Sequence, residues 1–174
     1  MTPARPLSFP CLAPVAAAIA LLVACGGSSP DPAPDVAVKV AGIAVDPSGS
    51  PVVLLEEREG GRALPIWIGL AEAHSIAAEI EQRRPPRPNS HDLAKRLIED
   101  LEGAVERVVV TGLREGTYYA VIFLTARGQR LEVDARPSDA IALALRCGAP
   151  LFVREALFDD VERARRPAPE ERAL

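Results

Sequence analysis

LEVDARPSDAIALALRCGAP, residues 131–150, decides the fold. A strand from Arg130 to Ala135 ends there, Pro137 fixes the bend, and a helix follows from Ser138 to Cys147. Between Ser138 and Leu145 that helix is apolar nearly all round, so it is expected at the centre of the molecule. Gly148 is placed to end it in a left-handed cap. Shifting the chain by 67 residues shows the same plan once before, with Gly49 on Gly116, Gly61 on Gly128, Leu64 on Leu131, Ala73 on Ala140 and Ala77 on Ala144. Valine-rich Val36 to Val45, the turn residues Asp46 to Pro51 and the apolar run Val52 to Glu57 read as a hairpin. Leu64 to Ile68 is a third strand, and Leu70, Ala73, Ile76, Ala77 and Ile80 recur at helical spacing. The second copy runs through strands Val105 to Leu113, Thr117 to Thr125 and Arg130 to Ala135. The unit is therefore strand, strand, strand, helix, and it occurs twice.

Between the copies, RRPPRPNS (83–90) leads into a helix from His91 to Glu102, with Ser90 as its expected N-cap and Leu93, Leu97, Ile98 and Leu101 on one face. A short strand, Pro150 to Val153, and an amphipathic helix from Glu155 to about Arg165 complete the chain's folded part. The expectation is an α+β fold, one domain with an antiparallel or mixed sheet and helices packed on it. A length of 174 residues, with 48% hydrophobic positions, allows one such domain and excludes two large ones. The formal charge of -4 argues against nucleic-acid binding driven by a strongly positive whole-molecule field.

The apolar stretch from Cys11 to Ala24, after a short segment carrying Arg5, reads as a secretory signal over 1–24. It falls short of the roughly 20 residues that a spanning helix needs. Leu22-Val23-Ala24-Cys25 resembles the lipobox of bacterial lipoproteins, which implies lipidation of Cys25 and an extracytoplasmic, membrane-anchored protein, with Gly26 pointing to the outer membrane where the host has one. Residues 25–35 read as a flexible, then proline-extended linker, 36–165 as the folded domain, and 166–174 as a polar tail that frays. Cys147 would be the single cysteine left in the folded domain, expected to be buried and inert.

Two polar clusters invite chemistry. At Asp134-Ala135-Arg136-Pro137-Ser138-Asp139, a helix start and a guanidinium form a natural anion site, so Arg136 and Ser138 are candidates for binding phosphate. Asp134 and Asp139 have oxygens suited to a divalent metal such as magnesium or manganese. The alternative, which the residues by themselves favour, is that Asp134 pairs with Arg136, Ser138 caps the helix and Asp139 answers its dipole. Glu72 falls on Asp139 under the 67-residue shift, so each copy has a carboxylate in the first turn of its helix. The second cluster is His91-Asp92 after Arg83, Arg84 and Arg87: His91 as general base, Asp92 orienting it or binding metal, Arg87 and its neighbours holding phosphodiester oxygens. Glu115-Gly116 reads as a hairpin turn, His74 as a surface residue, and Trp67 as a core or subunit-contact residue. The sequence contains no Walker-type phosphate loop, no nucleophile elbow and no cysteine-histidine zinc pattern.

Taken together, VVLLEEREGGRALPIWIG (52–69), EAHSIA (72–77), PRPNSHDL (86–93), LREGTYYAVI (113–122) and EVDARPSDAIALALRCGAPLFV (132–153) resemble, in order and spacing, the bifunctional nuclease domain family. The likeness runs from about Val36 to Val161. It implies an α+β domain, usually oligomeric, with DNase and RNase activity attributed to it, and polar motif positions at Glu72, His91, Asp92, Glu115, Asp134, Arg136, Ser138 and Asp139. The expected protein is thus a nuclease acting on DNA and RNA with little sequence specificity. His91, Asp92, Asp134, Asp139 and Glu72 would be its catalytic residues, with a divalent metal on Asp134 and Asp139, and it would form a homo-oligomer. The competing expectation is a non-catalytic module of the same fold that binds an anionic ligand or assembles with itself.

Overall fold

A computed structural model describes residues 35–165. The expected signal peptide, the lipidated Cys25 and the tail 166–174 lie outside the described residues, as does the linker apart from Asp35, which belongs to the first strand. The elements follow in the order β1 (Asp35–Val45), β2 (Pro51–Glu57), β3 (Ala63–Trp67), α1 (Leu70–Ile80), α2 (Ser90–Asp100), β4 (Gly103–Arg114), β5 (Thr117–Ala126), β6 (Gln129–Ala135), α3 (Pro137–Cys147), β7 (Leu151–Arg154) and α4 (Glu155–Arg165).

The duplication is literal. Helices α1 and α3 have 11 residues each, and both begin at the same point of the repeat: Gly69 and Arg136 are the N-caps, and 136 − 69 = 67. Each copy is a meander, β1-β2-β3 and β4-β5-β6, whose strands pair antiparallel. They join into one seven-stranded sheet of order β3-β2-β1-β7-β4-β5-β6. β7 sits between the copies, antiparallel to β1 and parallel to β4, so the sheet is mixed through that one pairing. Glu115 and Gly116, like Arg127 and Gly128, both have positive φ. That conformation matches the twist of a tight hairpin, so Glu115 belongs to a turn, as expected.

The core is aliphatic. Val38, Val53, Leu55, Leu64, Ile76, Val108, Val110, Ile141 and Val153 are at or near zero exposure, with Phe158 of α4 the largest buried side chain. α3 is the central helix, with eight of its residues buried, and it packs on both α1 and α2. Gly148 ends it at φ 65°. α2 is different: none of its residues is fully buried, while Ala94 and Ile98 rest on the core and Leu93, Leu97 and Leu101 face outward. Apolar packing therefore does not by itself hold α2 in place, and its polar contacts become important.

Three local expectations are corrected. The N-cap of α2 is Asn89, one residue before Ser90: its side chain accepts from the backbone N-H groups of His91 and Asp92, while the Asp92 carboxylate accepts from the Asn89 N-H in a reciprocal capping box. Ser138 does not cap α3; the N-cap is Arg136, Pro137 takes the first helical position, and no side-chain cap bond forms. Trp67 is not in the core: it is 56% exposed, and its indole N-H donates to Asp46 Oδ2 at 2.9 Å.

This packing makes a graded prediction. Ile141→Ala, which removes a wholly buried side chain from the central helix, should cost about 2–5 kcal/mol in urea unfolding. Leu97→Ala, on the outward face of α2, should change stability by no more than about 0.5 kcal/mol. Comparable losses from the two would contradict this assignment of the core.

Candidate functional site

The site is built where the first turns of α1, α2 and α3 meet. Arg136 ends the extended backbone after β6 and begins α3. Its Nε donates to Asp139 Oδ2 at 2.8 Å, and its Nη2 donates to Glu72 Oε1 at 2.7 Å and Asp139 Oδ1 at 3.1 Å. One guanidinium thus bridges the two carboxylates that the repeat places at equivalent positions. Asp139 Oδ1 also lies 3.1 Å from His91 Nε2, which brings in α2. Behind this rim, His91 Nδ1 is 2.8 Å from Ser75 Oγ.

A second, buried guanidinium lies deeper. The Arg146 side chain is only 4% exposed. Its Nε donates to Asp92 Oδ1 at 2.6 Å, its Nη1 to Ala142 O at 2.9 Å, and its Nη2 to Ser75 Oγ at 2.9 Å and Ser75 O at 3.2 Å. Asn89 Nδ2 adds a third contact to Ser75 Oγ, at 3.0 Å. A continuous polar chain therefore runs from Arg136 through Asp139, His91 and Ser75 to Arg146 and Asp92. A charge this deeply buried is tolerated only when its donors are matched, and here Nε and both terminal nitrogens find acceptors.

The electrostatics follow from these contacts. Burial pushes the Asp139 carboxyl upward, but hydrogen bonds from Arg136 and His91 outweigh it and hold the group below the usual aspartate range. Asp92 shows the same balance, with burial opposed by Arg146 and the cap bond of Asn89. Asp139 and then Glu72 push the Arg136 guanidinium pKa upward. Burial pushes the Cys147 thiol up, consistent with an unreactive, half-buried cysteine.

An open cleft of about 540 Å³ faces this rim, lined by Glu72, His74, Ser75, Arg87, Asn89, His91, Arg136 and Asp139 among others. The structure thus gathers Glu72, His91, Arg136, Asp139 and Arg87 around one space. Asp92 stands behind it, paired with Arg146. Asp134 is exposed on edge strand β6, and it neither lines the cleft nor pairs with Arg136. Ser138 is buried and also stands outside the lining. Ser75, Asn89 and Arg146 were not singled out in the sequence. A visible signal was Arg146 itself, a charge at the end of an apolar helix that had to find partners inside.

Among the described residues, no group of three or more His, Cys, Asp or Glu side chains converges closely enough to hold a metal ion. The two carboxylates that do converge, Glu72 and Asp139, both have oxygens on Arg136. The residues present therefore do not fit the divalent cation expected on Asp134 and Asp139.

Fold and cleft together define an α+β protein whose twinned helices carry an arginine and two carboxylates, and whose α2 adds a histidine, to one solvent-open space. The chain belongs to the bifunctional nuclease domain family: the sequence profile of that domain matches residues 53–165. An uncharacterized protein of Mycobacterium tuberculosis is 46% identical over 122 residues, covering 70% of this chain and 73% of its own. Bifunctional nuclease 1 of Oryza sativa subsp. japonica is 29% identical over 124 residues, 69% of this chain and 38% of the rice protein. Bifunctional nuclease 1 of Arabidopsis thaliana is 31% identical over 111 residues, 62% of this chain and 34% of the plant protein.

Two outcomes are expected. Arg146→Ala leaves Asp92 and Ser75 without their buried donor, and should cost about 3–5 kcal/mol in denaturant unfolding. The second concerns acid. Asp92 has a depressed native pKa, so its contribution to stability is full above an unfolded value of about 3.9 and is lost as pH falls through the lower native value. Asp92→Asn should flatten the acid limb of a stability-pH curve measured by thermal unfolding; an unchanged acid limb would contradict the pairing.

Proposed function

We propose that this protein is a nuclease that hydrolyses phosphodiester bonds of DNA and RNA with little sequence preference, and that Arg136 is its phosphate clamp. The supporting observation is that Arg136, 68% exposed, holds two carboxylates at the edge of an open cleft of about 540 Å³. The guanidinium end of these pairs stands in solvent while Glu72 is 17% and Asp139 34% exposed, so phosphoryl oxygens can reach Arg136 and exchange with carboxylate oxygens there. The exchange also frees Asp139 or Glu72. Water adds its oxygen to phosphorus and gives its proton to the freed carboxylate, the bond to the sugar oxygen breaks and that oxygen takes a proton from solvent, while the guanidinium holds the charge growing on the phosphoryl oxygens. Arg87 extends positive charge along the cleft. The family's name, and those of its rice and Arabidopsis members, support the same chemistry.

The proposal extends to location and assembly: lipidation at Cys25 would tether the domain outside the cytoplasm, at the outer membrane where one exists, and the working form would be a homo-oligomer. The test is cleavage of single-stranded DNA and of RNA by the purified protein, with and without added magnesium or manganese. Wild type should cleave both, and Arg136→Ala should lose about 10²-fold or more in rate while keeping its melting temperature. Saturable binding of oligonucleotide with no turnover under any condition would replace the nuclease by the non-catalytic, anion-binding module.

A further inference from the structure

The hydrogen-bond geometry behind the cleft fixes where the proton of His91 sits. Asn89 Oδ1 accepts from two backbone N-H groups, so its amide nitrogen is the atom that faces Ser75. Ser75 Oγ therefore receives two hydrogens from groups that can only donate, Asn89 Nδ2 and Arg146 Nη2. A hydroxyl has two acceptor positions and one proton. Both acceptor positions are filled, and the remaining neighbour is His91 Nδ1, at 2.8 Å. Ser75 must donate to it. Nδ1 is then the bare nitrogen, and the ring proton belongs on Nε2.

The other end of the ring gives the same answer independently. His91 Nε2 faces Asp139 Oδ1 at 3.1 Å. Asp139 is held ionised by Arg136, and a carboxylate can only accept.

We propose that Ser75 and Arg146 are positioning residues that lock His91 in the tautomer protonated at Nε2, so that the histidine offers the cleft a hydrogen-bond donor beside Arg136 and not a base. This deepens the nuclease reading by giving His91 a role in it. A phosphodiester that displaces Asp139 meets two donors side by side, the Arg136 guanidinium and the His91 N-H. A neutral imidazole placed this way polarises an oxygen without exchanging a proton with it. The proton-accepting role falls to a carboxylate.

The test has an arm that needs no activity. The full chain labelled with nitrogen-15 histidine contains two imidazoles, His74 and His91, and His74→Gln assigns them. At about pH 8, where an ordinary histidine is neutral, His91 should show a bare Nδ1 and a protonated Nε2, whereas exposed His74 should average its tautomers. Ser75→Ala, which removes the hydrogen bond to Nδ1 while Asp139 still faces Nε2, should shift the Nδ1 signal of His91 and leave that of His74 unmoved. A protonated Nδ1, or an even mixture in wild type, overturns the proposal even if the protein cleaves nucleic acid.

The second arm uses the nuclease assay. His91→Gln places an N-H donor near the position of Nε2 and cannot act as a base, so it should stay within about tenfold of wild type, while His91→Ala should lose about 10²-fold. Equal loss in both variants overturns the donor role. If wild type shows no cleavage, the nuclease reading fails, and the nitrogen-15 spectrum still decides the tautomer.

Discussion

A single buried guanidinium organises the helical side of this protein. Arg146 reaches the backbone carbonyls of Ser75 and Ala142, two residues that occupy the same position in the two repeats, since 142 − 75 = 67. It thereby clips α1 to α3 at their points of equivalence. Its bond to Asp92 clips α2 to both. Because α2 buries none of its side chains fully, this ion pair, together with the Lys95 Nζ bond to Arg146 O at 2.9 Å, sets where α2 begins. His91 sits on that first turn, so its distance to Asp139 depends on a charge that never touches the cleft.

Duplication supplies the frame, and departures from it supply the chemistry. Two meanders with two following helices bring two helix starts together, each with an acidic residue in its first turn. Had the copies stayed identical, two carboxylates would face each other unpaired. The second copy has Arg136 where the first has Gly69, and Arg146 where the first has Glu79. Gly69 matters for what it lacks: a Cβ there would stand 2.2 Å from Glu72 Oε2, so a side chain at this position would push Glu72 away from its place beside Arg136. One repeat thus gives up a side chain and the other gains a charged one. The pairing of Arg136 with Glu72 and Asp139 rests on that asymmetry.

Much of this was legible in the chain. The 67-residue shift located every strand and helix of both copies, because glycines at turns and apolar residues at core positions are dictated by local geometry that both copies share. The apolar run after Pro137 identified the central helix. The partners of Arg136 were less legible: its neighbour Asp134 is exposed on edge strand β6 and makes no bond to it, whereas Glu72, 64 residues distant, reaches it through the packing of α1 on α3. Proximity in sequence favoured the wrong aspartate. Asn89 displaced Ser90 as the cap because Asp92 stands three positions after Asn89, where it can close the reciprocal box. Ser75 carried no signal, since a serine inside an apolar helix acquires its meaning only from the guanidinium opposite.

On the proposed nuclease reading, the Arg136 guanidinium is held open to the cleft by carboxylates that a phosphate can replace. A crystal structure with a short phosphorothioate oligonucleotide, slow to be cleaved, examines this directly. A phosphoryl oxygen should lie on Arg136 within the cleft bounded by α1, α2 and α3, with Asp139 or Glu72 displaced from the guanidinium. An oligonucleotide bound elsewhere, with Arg136 still gripping both carboxylates, would contradict it.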